Sequence, residues 1–369
     1  MNEIRNESTT GRVLSIDALR GFDMFWITGG GALLASLVKV WDNPVTRTIE
    51  TQLEHVEWQG FRFEDLIFPL FIFLMGVVMP FSFSRRIERG QSRTVLHLHI
   101  LKRTAGLLLI GLIMNGLLNF NWPEMRWPGV LQRIALCYLL SALIVANTKW
   151  RTQAIIIAAI LVLYCLVTAL VPAPGFEAGD LTKEGCLSSY IDQQLIPGRL
   201  YYDLGDNEGV ISTFPAICTA LLGALAGHWL RSNRQATRKA AGLALAGVVS
   251  LAAGYLWSFF FPIIKILWTS SYVLFAAGWS LLLLALFYWI IDVKGYKKWS
   301  FFFVVIGANA ITIYFLQSFV SFDAIAQKFL SGLADHAGQI APLVIPFGAV
   351  MARWLLLYFL YRHRVFLKV

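Results

Sequence analysis

Charged side chains are scarce in these 369 residues: Asp, Glu, Lys and Arg together make up only 14% of the chain. Ordinary soluble domains carry about 25%, so a soluble domain does not fit. Cysteine is nearly absent. Cys137, Cys165, Cys186 and Cys218 have no metal-ligand spacing, and only Cys186 falls in a segment expected outside the cytoplasm, so no structural disulfide within the chain is expected. No histidine pair has the HExxH spacing, and no catalytic metal is expected. No cleavable leader is expected: the first 12 residues are polar, and the first apolar run is long enough to remain as a span. Hydrocarbon takes the place of charge, with 57% apolar residues and a mean hydropathy of +0.63.

Apolar runs recur along the whole length, each long enough to cross about 30 Å of hydrocarbon at about 1.5 Å per residue. They predict spans over 18–39, 63–84, 103–120, 128–147, 153–172, 213–230, 240–261, 269–291, 300–321 and 341–361. In lipid the backbone must satisfy its own hydrogen bonds, so these runs are read as helices. Lys and Arg set the orientation. The segments on the side of the termini hold 21 of these residues and the opposite segments hold 8. The expected fold is therefore an all-α integral membrane protein, a polytopic bundle of about ten transmembrane helices with both termini cytoplasmic. Residues 1–17 form a cytoplasmic segment, 18–361 a single transmembrane domain, and 362–369 a cytoplasmic tail. The formal net charge of +9 follows from this bias and calls for no nucleic-acid partner.

Two exported loops are longer than the rest, 40–62 and 173–212. The first carries Glu54-His55-Val56-Glu57-Trp58-Gln59-Gly60 just ahead of the span that opens at Asp65. A titratable imidazole at the mouth of a membrane bundle, flanked by carboxylates, is placed to handle protons at the membrane surface. An interfacial histidine without chemistry is the plain alternative. The second loop has seven acidic residues against Lys183 and Arg199, which favours a cationic or amine-bearing substrate. The positive-inside rule alone also leaves exported loops acidic. On the cytoplasmic side Arg85, Arg86, Arg89, Arg93, Lys102 and Arg103 cluster around His97 and His99. Guanidinium forks suit phosphates, and they suit anionic lipid equally well.

Charge inside a span is costly without a partner or a task. Asp23, Asp65, Arg133, Arg353 and Asn309 are at membrane depth, and an Asp23–Arg133 pair is one arrangement the sequence permits. Gly29-Gly30-Gly31 in the first span permits either close helix packing or a local break.

These residues carry a resemblance. Ser15-Ile16-Asp17-Ala18-Leu19-Arg20-Gly21 looks like the opening signature of transmembrane acyltransferases. His55-x-x-Trp58-x-Gly60, Asp65-Leu66-Ile67-Phe68-Pro69 and Met75-Gly76 are similar to heparan-α-glucosaminide N-acetyltransferase and its bacterial relatives. So are Arg126-x-Pro128-Gly129-Val130-Leu131-Gln132-Arg133, Asp206-Asn207-Glu208-Gly209, Leu267-Trp268-Thr269-Ser270-Ser271-Tyr272-Val273 and Asp292-Val293-Lys294-Gly295. The matches run in the family's order from about residue 12 to 320. One departure stands out: where some relatives carry Asn two residues before the glycine run, this chain has Ile27, and Asn115, Thr28 or Glu57 are the substitutes at hand.

The resemblance implies transfer of acetyl from cytosolic acetyl-CoA to the amine of a glucosamine-type sugar on the exported side of an inner membrane, with His55 as the catalytic residue. The catalytic candidates are His55, Glu57 and Asp65, with Glu57 or Glu54 expected to orient the imidazole. Arg20, Arg103, Arg133 and Lys294 are the candidates for binding acetyl-CoA. Trp58, Asp206 and Glu208 are those for the acceptor. The expected partners are acetyl-CoA, an amino sugar or glycan, and membrane lipids; a homodimer is left open. His55 acts either as a base for direct attack or as an acetyl carrier, and direct transfer is preferred. The rivals are an O-acyltransferase of envelope glycans and an amino-sugar transporter.

Overall fold

The computed structural model describes residues 13–366; the N-terminal residues 1–12 and the last three, including the tail's Lys368, lie outside the described residues. The chain is helical, with isolated β-bridges and no strand among the described residues. In order, the α-helices are α1 (Leu14–Phe25), α2 (Gly31–Ala35), α3 (Pro44–Gln52), α4 (Glu64–Glu88), α5 (Arg93–Met114) and α6 (Val130–Asn147). Next come α7 (Trp150–Leu170), α8 (Leu187–Leu195), α9 (Thr213–Arg231), α10 (Ala236–Trp257) and α11 (Ser270–Tyr288). The remainder are α12 (Phe301–Ala308), α13 (Ala310–Leu316), α14 (Phe322–His336) and α15 (Ala341–Arg362).

Eight stretches are long and apolar enough to cross a membrane: α4, α5, α6, α7, α9, α10, the α11 stretch Ser270–Val293 and the α15 stretch Gly338–Arg362. The chain is a multi-pass membrane protein. The ten expected spans thus reduce to eight continuous ones. The other two fall on interrupted helices. Between α1 and α2 the backbone leaves helical geometry at Thr28 (φ −104°, ψ 24°) and at Gly29, where φ is +121°. Only glycine takes that conformation without a Cβ penalty, so the glycine run serves as a break. Between α12 and α13 the break falls at Asn309 (φ −127°, ψ 36°), whose amide Nδ2 donates to the Val365 carbonyl at 3.2 Å. The expected loop 322–340 holds a further helix, α14, whose Ser321 side chain caps it by accepting from Ala324 N.

The chain forms two compact units. One comprises the residues up to Glu50, Arg234–Leu245 and those from Leu282 onward. Within it α1 packs on α12 through reciprocal glycines: a Cβ on Gly21 would lie 1.7 Å from the Phe303 carbonyl oxygen, and one on Gly307 would lie 2.3 Å from that of Asp17. In the same unit Arg353 of α15 bonds Asp323 of α14 at 2.8 Å, so this membrane-depth cation has a partner.

The other unit comprises Thr51–Asn233 and Ala246–Leu281. Its centre is the α4–α9 pair. Gly223 and Gly227 of α9 lie against the Phe73 and Val77 carbonyls, and Gly76 of α4 lies against the Ala220 carbonyl. Helices approach this closely in lipid only where side chains are small. That scaffold sets the segments 51–63, 115–129, 171–212 and 258–269 at one end of the unit, and the candidate site lies there.

Candidate active site

Helix α4 begins with two acids, Glu64 and Asp65, where the exposed amides of a first turn favour negative charge. Asp65 is 0% exposed. Its Oδ2 accepts from the Arg62 amide at 3.0 Å and the Val56 amide at 3.4 Å, folding the preceding loop back onto the helix start. Its main-chain carbonyl accepts from the Tyr272 hydroxyl at 2.8 Å. Only Oδ1 faces outward. It lies 2.9 Å from His55 Nδ1 and accepts from Lys265 Nζ at 3.2 Å.

A second segment is pinned to this loop from far along the chain. Gly60, with φ +127°, donates its amide to the Ile263 carbonyl at 2.9 Å, and Gln59 pairs with Ile264 in an isolated antiparallel bridge. The turn after Pro262 is held by Thr269 and Ser271, both donating to the Pro262 carbonyl, and by Tyr164 donating to the Leu267 carbonyl. The result places Lys265 Nζ 2.9 Å from His55 Nδ1 and 3.4 Å from Nε2.

The ring itself is 58% exposed, above a fully buried carboxylate. With its proton on Nδ1 the neutral ring donates to Asp65 and keeps a lone pair at Nε2, while the Lys265 ammonium, close to both ring nitrogens, donates to the same carboxylate. Burial draws the Lys265 ammonium below its ordinary 10.5, while the charges of Asp65, Glu64 and Glu208 oppose that shift. Among the described residues no group of three or more His, Cys, Asp and Glu side chains could hold a metal ion.

Asp65 therefore holds the position against the ring that Glu54 or Glu57 was expected to fill. The Glu54 carboxylate goes to Arg62 at 3.4 Å, and Glu57 is exposed. Of the proposed substitutes for the family amide, Asn115 donates to the Arg126 and Pro128 carbonyls at 2.8 and 2.7 Å, and Thr28, at the break, donates to the Met24 carbonyl near the end of α1.

The acceptor candidates form a second cluster. Asp206 is buried, and both its oxygens are engaged: Arg126 binds it in a fork at 2.8 and 2.5 Å, and the amides of Tyr201 and Glu208 add to it. Glu208 shares the same guanidinium. Burial pushes the Glu208 carboxyl up, opposed by the charges of Arg133 and Arg126. Burial alone would lower the Arg126 value, but bonding to Asp206 and Glu208 raises it overall. Trp58 is half-buried, with its indole N–H on the Leu181 carbonyl at 2.8 Å and Lys183 Nζ 5.7 Å from its ring centre.

The four donor-binding candidates divide between the units. Arg20, beside Asp17 at 3.5 Å, and exposed Lys294, over Trp289, belong to the first. In the second, Arg103 lies half-way along α5 over the Tyr138 ring at 4.7 Å. Arg86 reaches His99 Nε2 at 3.0 Å nearer the opposite end of the bundle. Arg133, 1% exposed, donates from Nη2 to the Gly209 carbonyl at 3.0 Å and to Ser212 Oγ at 2.5 Å, and lies over the Trp268 ring.

Residues 12–257 match the family model for the catalytic region of heparan-alpha-glucosaminide N-acetyltransferase. The chain belongs to that family. It is 26% identical over 427 residues to the mouse heparan-alpha-glucosaminide N-acetyltransferase, covering 98% of this chain and 61% of the relative. The human protein of the same name is 26% identical over 419 residues, covering 97% and 60%. The chain thus spans about three-fifths of the length of these relatives. Both are acetyltransferases by name, and the chain is an acyltransferase-like membrane protein.

The family match reaches His55, Asp65, Arg126, Arg133, Asp206 and Glu208, but ends before Lys265. Sequence reasoning passed over this lysine. It is the one basic residue of a short apolar segment, 262–268, and that isolation was the available signal.

Proposed function

We propose that the chain is a transmembrane acetyltransferase, passing an acetyl group from acetyl-CoA to the amine of a glucosamine-type sugar at the His55 face of a bacterial inner membrane. The observation that carries this reading is the exposed His55 ring bonded at Nδ1 to the buried Asp65 carboxylate. A base is what an amine acceptor needs, because the protonated amine has no lone pair with which to attack. Nε2 takes the proton as the amine attacks the thioester carbon, and returns it to the departing sulfur. Direct transfer suits this geometry: one nitrogen is held by Asp65, and the other serves as proton carrier. The basic side chains Arg86, His99 and Arg103, staged between the far end of α4 and the middle of α5, suit the phosphates of the donor, with the acyl end directed toward Arg133 and His55. The indole of Trp58 offers an apolar face to the acceptor sugar.

Purified protein given acetyl-CoA and glucosamine is expected to release free thiol, and His55→Ala to abolish release while retaining acetyl-CoA binding. Loss of binding in that variant would remove His55 from the base role. The breaks in α1–α2 and α12–α13 favour a second reading, a carrier, since interrupted helices are frequent in transporters. Glucosamine uptake into proteoliposomes without thiol release would decide for it.

A further inference from the structure

Among the groups around His55, Lys265 has no part in the proton transfer described above, although it is the nearest cation to the reacting ring. Its side chain is only 18% exposed, and the turn that carries it is fixed by four hydrogen bonds and a β-bridge, so the ammonium is held in place before any ligand arrives. One N–H is directed to Asp65 Oδ1 at 3.2 Å. An ammonium has three donors. Nζ stands 2.9 Å from Nδ1 and 3.4 Å from Nε2, the nitrogen that takes the proton.

We propose that Lys265 is a catalytic residue of the acyl transfer, its ammonium holding the carbonyl oxygen of the thioester and the oxyanion that develops on it. The inference rests on the acetyltransferase reading and adds the electrophilic half of the site. The amine lone pair forms the new C–N bond and the carbonyl π electrons move onto oxygen, where Nζ meets them. The amine proton passes to His55 Nε2. Collapse restores the carbonyl, breaks the C–S bond and sends the proton from Nε2 to sulfur, releasing a free thiol and an amide. The attacking nitrogen and the carbonyl oxygen are neighbouring atoms on one carbon, and Nε2 and Nζ, 3.4 Å apart at one edge of the ring, are close enough together for one to meet each atom. Burial lowers the ammonium's proton affinity, and the charges of Asp65, Glu64 and Glu208 oppose that loss.

The test uses two non-reacting analogues of acetyl-CoA: acetonyl-CoA, a ketone that keeps the carbonyl, and ethyl-CoA, a thioether that lacks it. Wild-type protein is expected to bind the ketone about tenfold more tightly, the scale of one charge-assisted hydrogen bond. Lys265→Met should bind both at the thioether's affinity, with kcat lowered by about 10²–10³-fold and KM for acetyl-CoA within a few-fold. Lys265→Arg, which keeps a donor there, should recover part of the preference. An equal affinity for the two analogues in wild type overturns the inference, as does a preference that survives in Lys265→Met. Binding of neither analogue would bring down the acetyl-CoA reading itself, and this inference with it.

Discussion

Lys265 Nζ and His55 Nδ1 lie 2.9 Å apart, and both lean on the same oxygen of a fully buried Asp65. One carboxylate thus serves two cation-forming groups 210 residues apart in sequence. The imidazole and the ammonium compete for one oxygen. The chemistry of His55 is therefore set by a three-body arrangement.

Asp65→Asn should lower kcat for thiol release by about 10²–10³-fold while leaving the protein folded, because the amide fills the same volume but no longer fixes the imidazole proton on Nδ1. Initial rates with acetyl-CoA and an amino sugar measure this, with a melting curve as the folding control. A variant within threefold of wild type would mean that Asp65 does not orient His55.

Lys265→Met should change how stability depends on pH. Burial holds Lys265 below its ordinary 10.5, so between that lowered value and 10.5 the folded chain binds fewer protons than the unfolded one. This residue's contribution to stability therefore rises with pH across that alkaline window. Melting temperatures of wild type and Lys265→Met, compared from pH 7 to 10, should show the rise only in wild type.

Asp192 gives the opposite slope. Burial pushes its carboxyl up from 3.8 to about 6, against the amides of Val210 and Asp206 that it accepts. The folded chain holds that proton longer than the unfolded one, so stability falls as pH rises from about 4 to 6, by roughly 3 kcal/mol at most, and is flat above. Asp192→Asn removes this slope. It also leaves one of the two amides without an acceptor, lowering stability by about 1–3 kcal/mol. Denaturant unfolding at pH 4.5 and 7 distinguishes the two effects; an unchanged slope in the variant would assign it to another group.

Gly307→Ala should destabilise by about 1–3 kcal/mol, because its Cβ would stand 2.3 Å from the Asp17 carbonyl oxygen and the α1–α12 crossing would have to open. Gly332→Ala in α14 is the control: nothing lies within 4 Å of that Cβ, so the better helix former should stabilise by up to about 1 kcal/mol. Thermal unfolding in detergent measures both. Equal shifts would refute the close crossing.

Hydrocarbon-length apolar runs are a local property, and so were legible: each expected span falls on a helix because lipid leaves the backbone only its own neighbours to bond with. Where two of those runs break was not legible, because a hydropathy average passes over one glycine with positive φ or one asparagine out of helical geometry. The amphipathic α14 was hidden in an expected loop for a related reason, since its polar face lowers the average. Within the site, His55 and Asp65 could be picked from sequence, ten residues apart around the start of one helix. Which carboxylate meets the ring could not: Glu54 and Glu57 are nearer along the chain, yet the turn closed by Gly60 directs Asp65 to it. Asp206 and Glu208 read as free acids until Arg126, about 80 residues earlier, takes both. Lys265 carried no motif at all. Sequence by itself determined which segments are apolar enough for a membrane and which residues are able to do chemistry, because both depend on side chains and their immediate neighbours. Tertiary structure alone decided which charges meet, because an ion pair needs atoms within about 4 Å and only the register of packed helices brings distant residues that close.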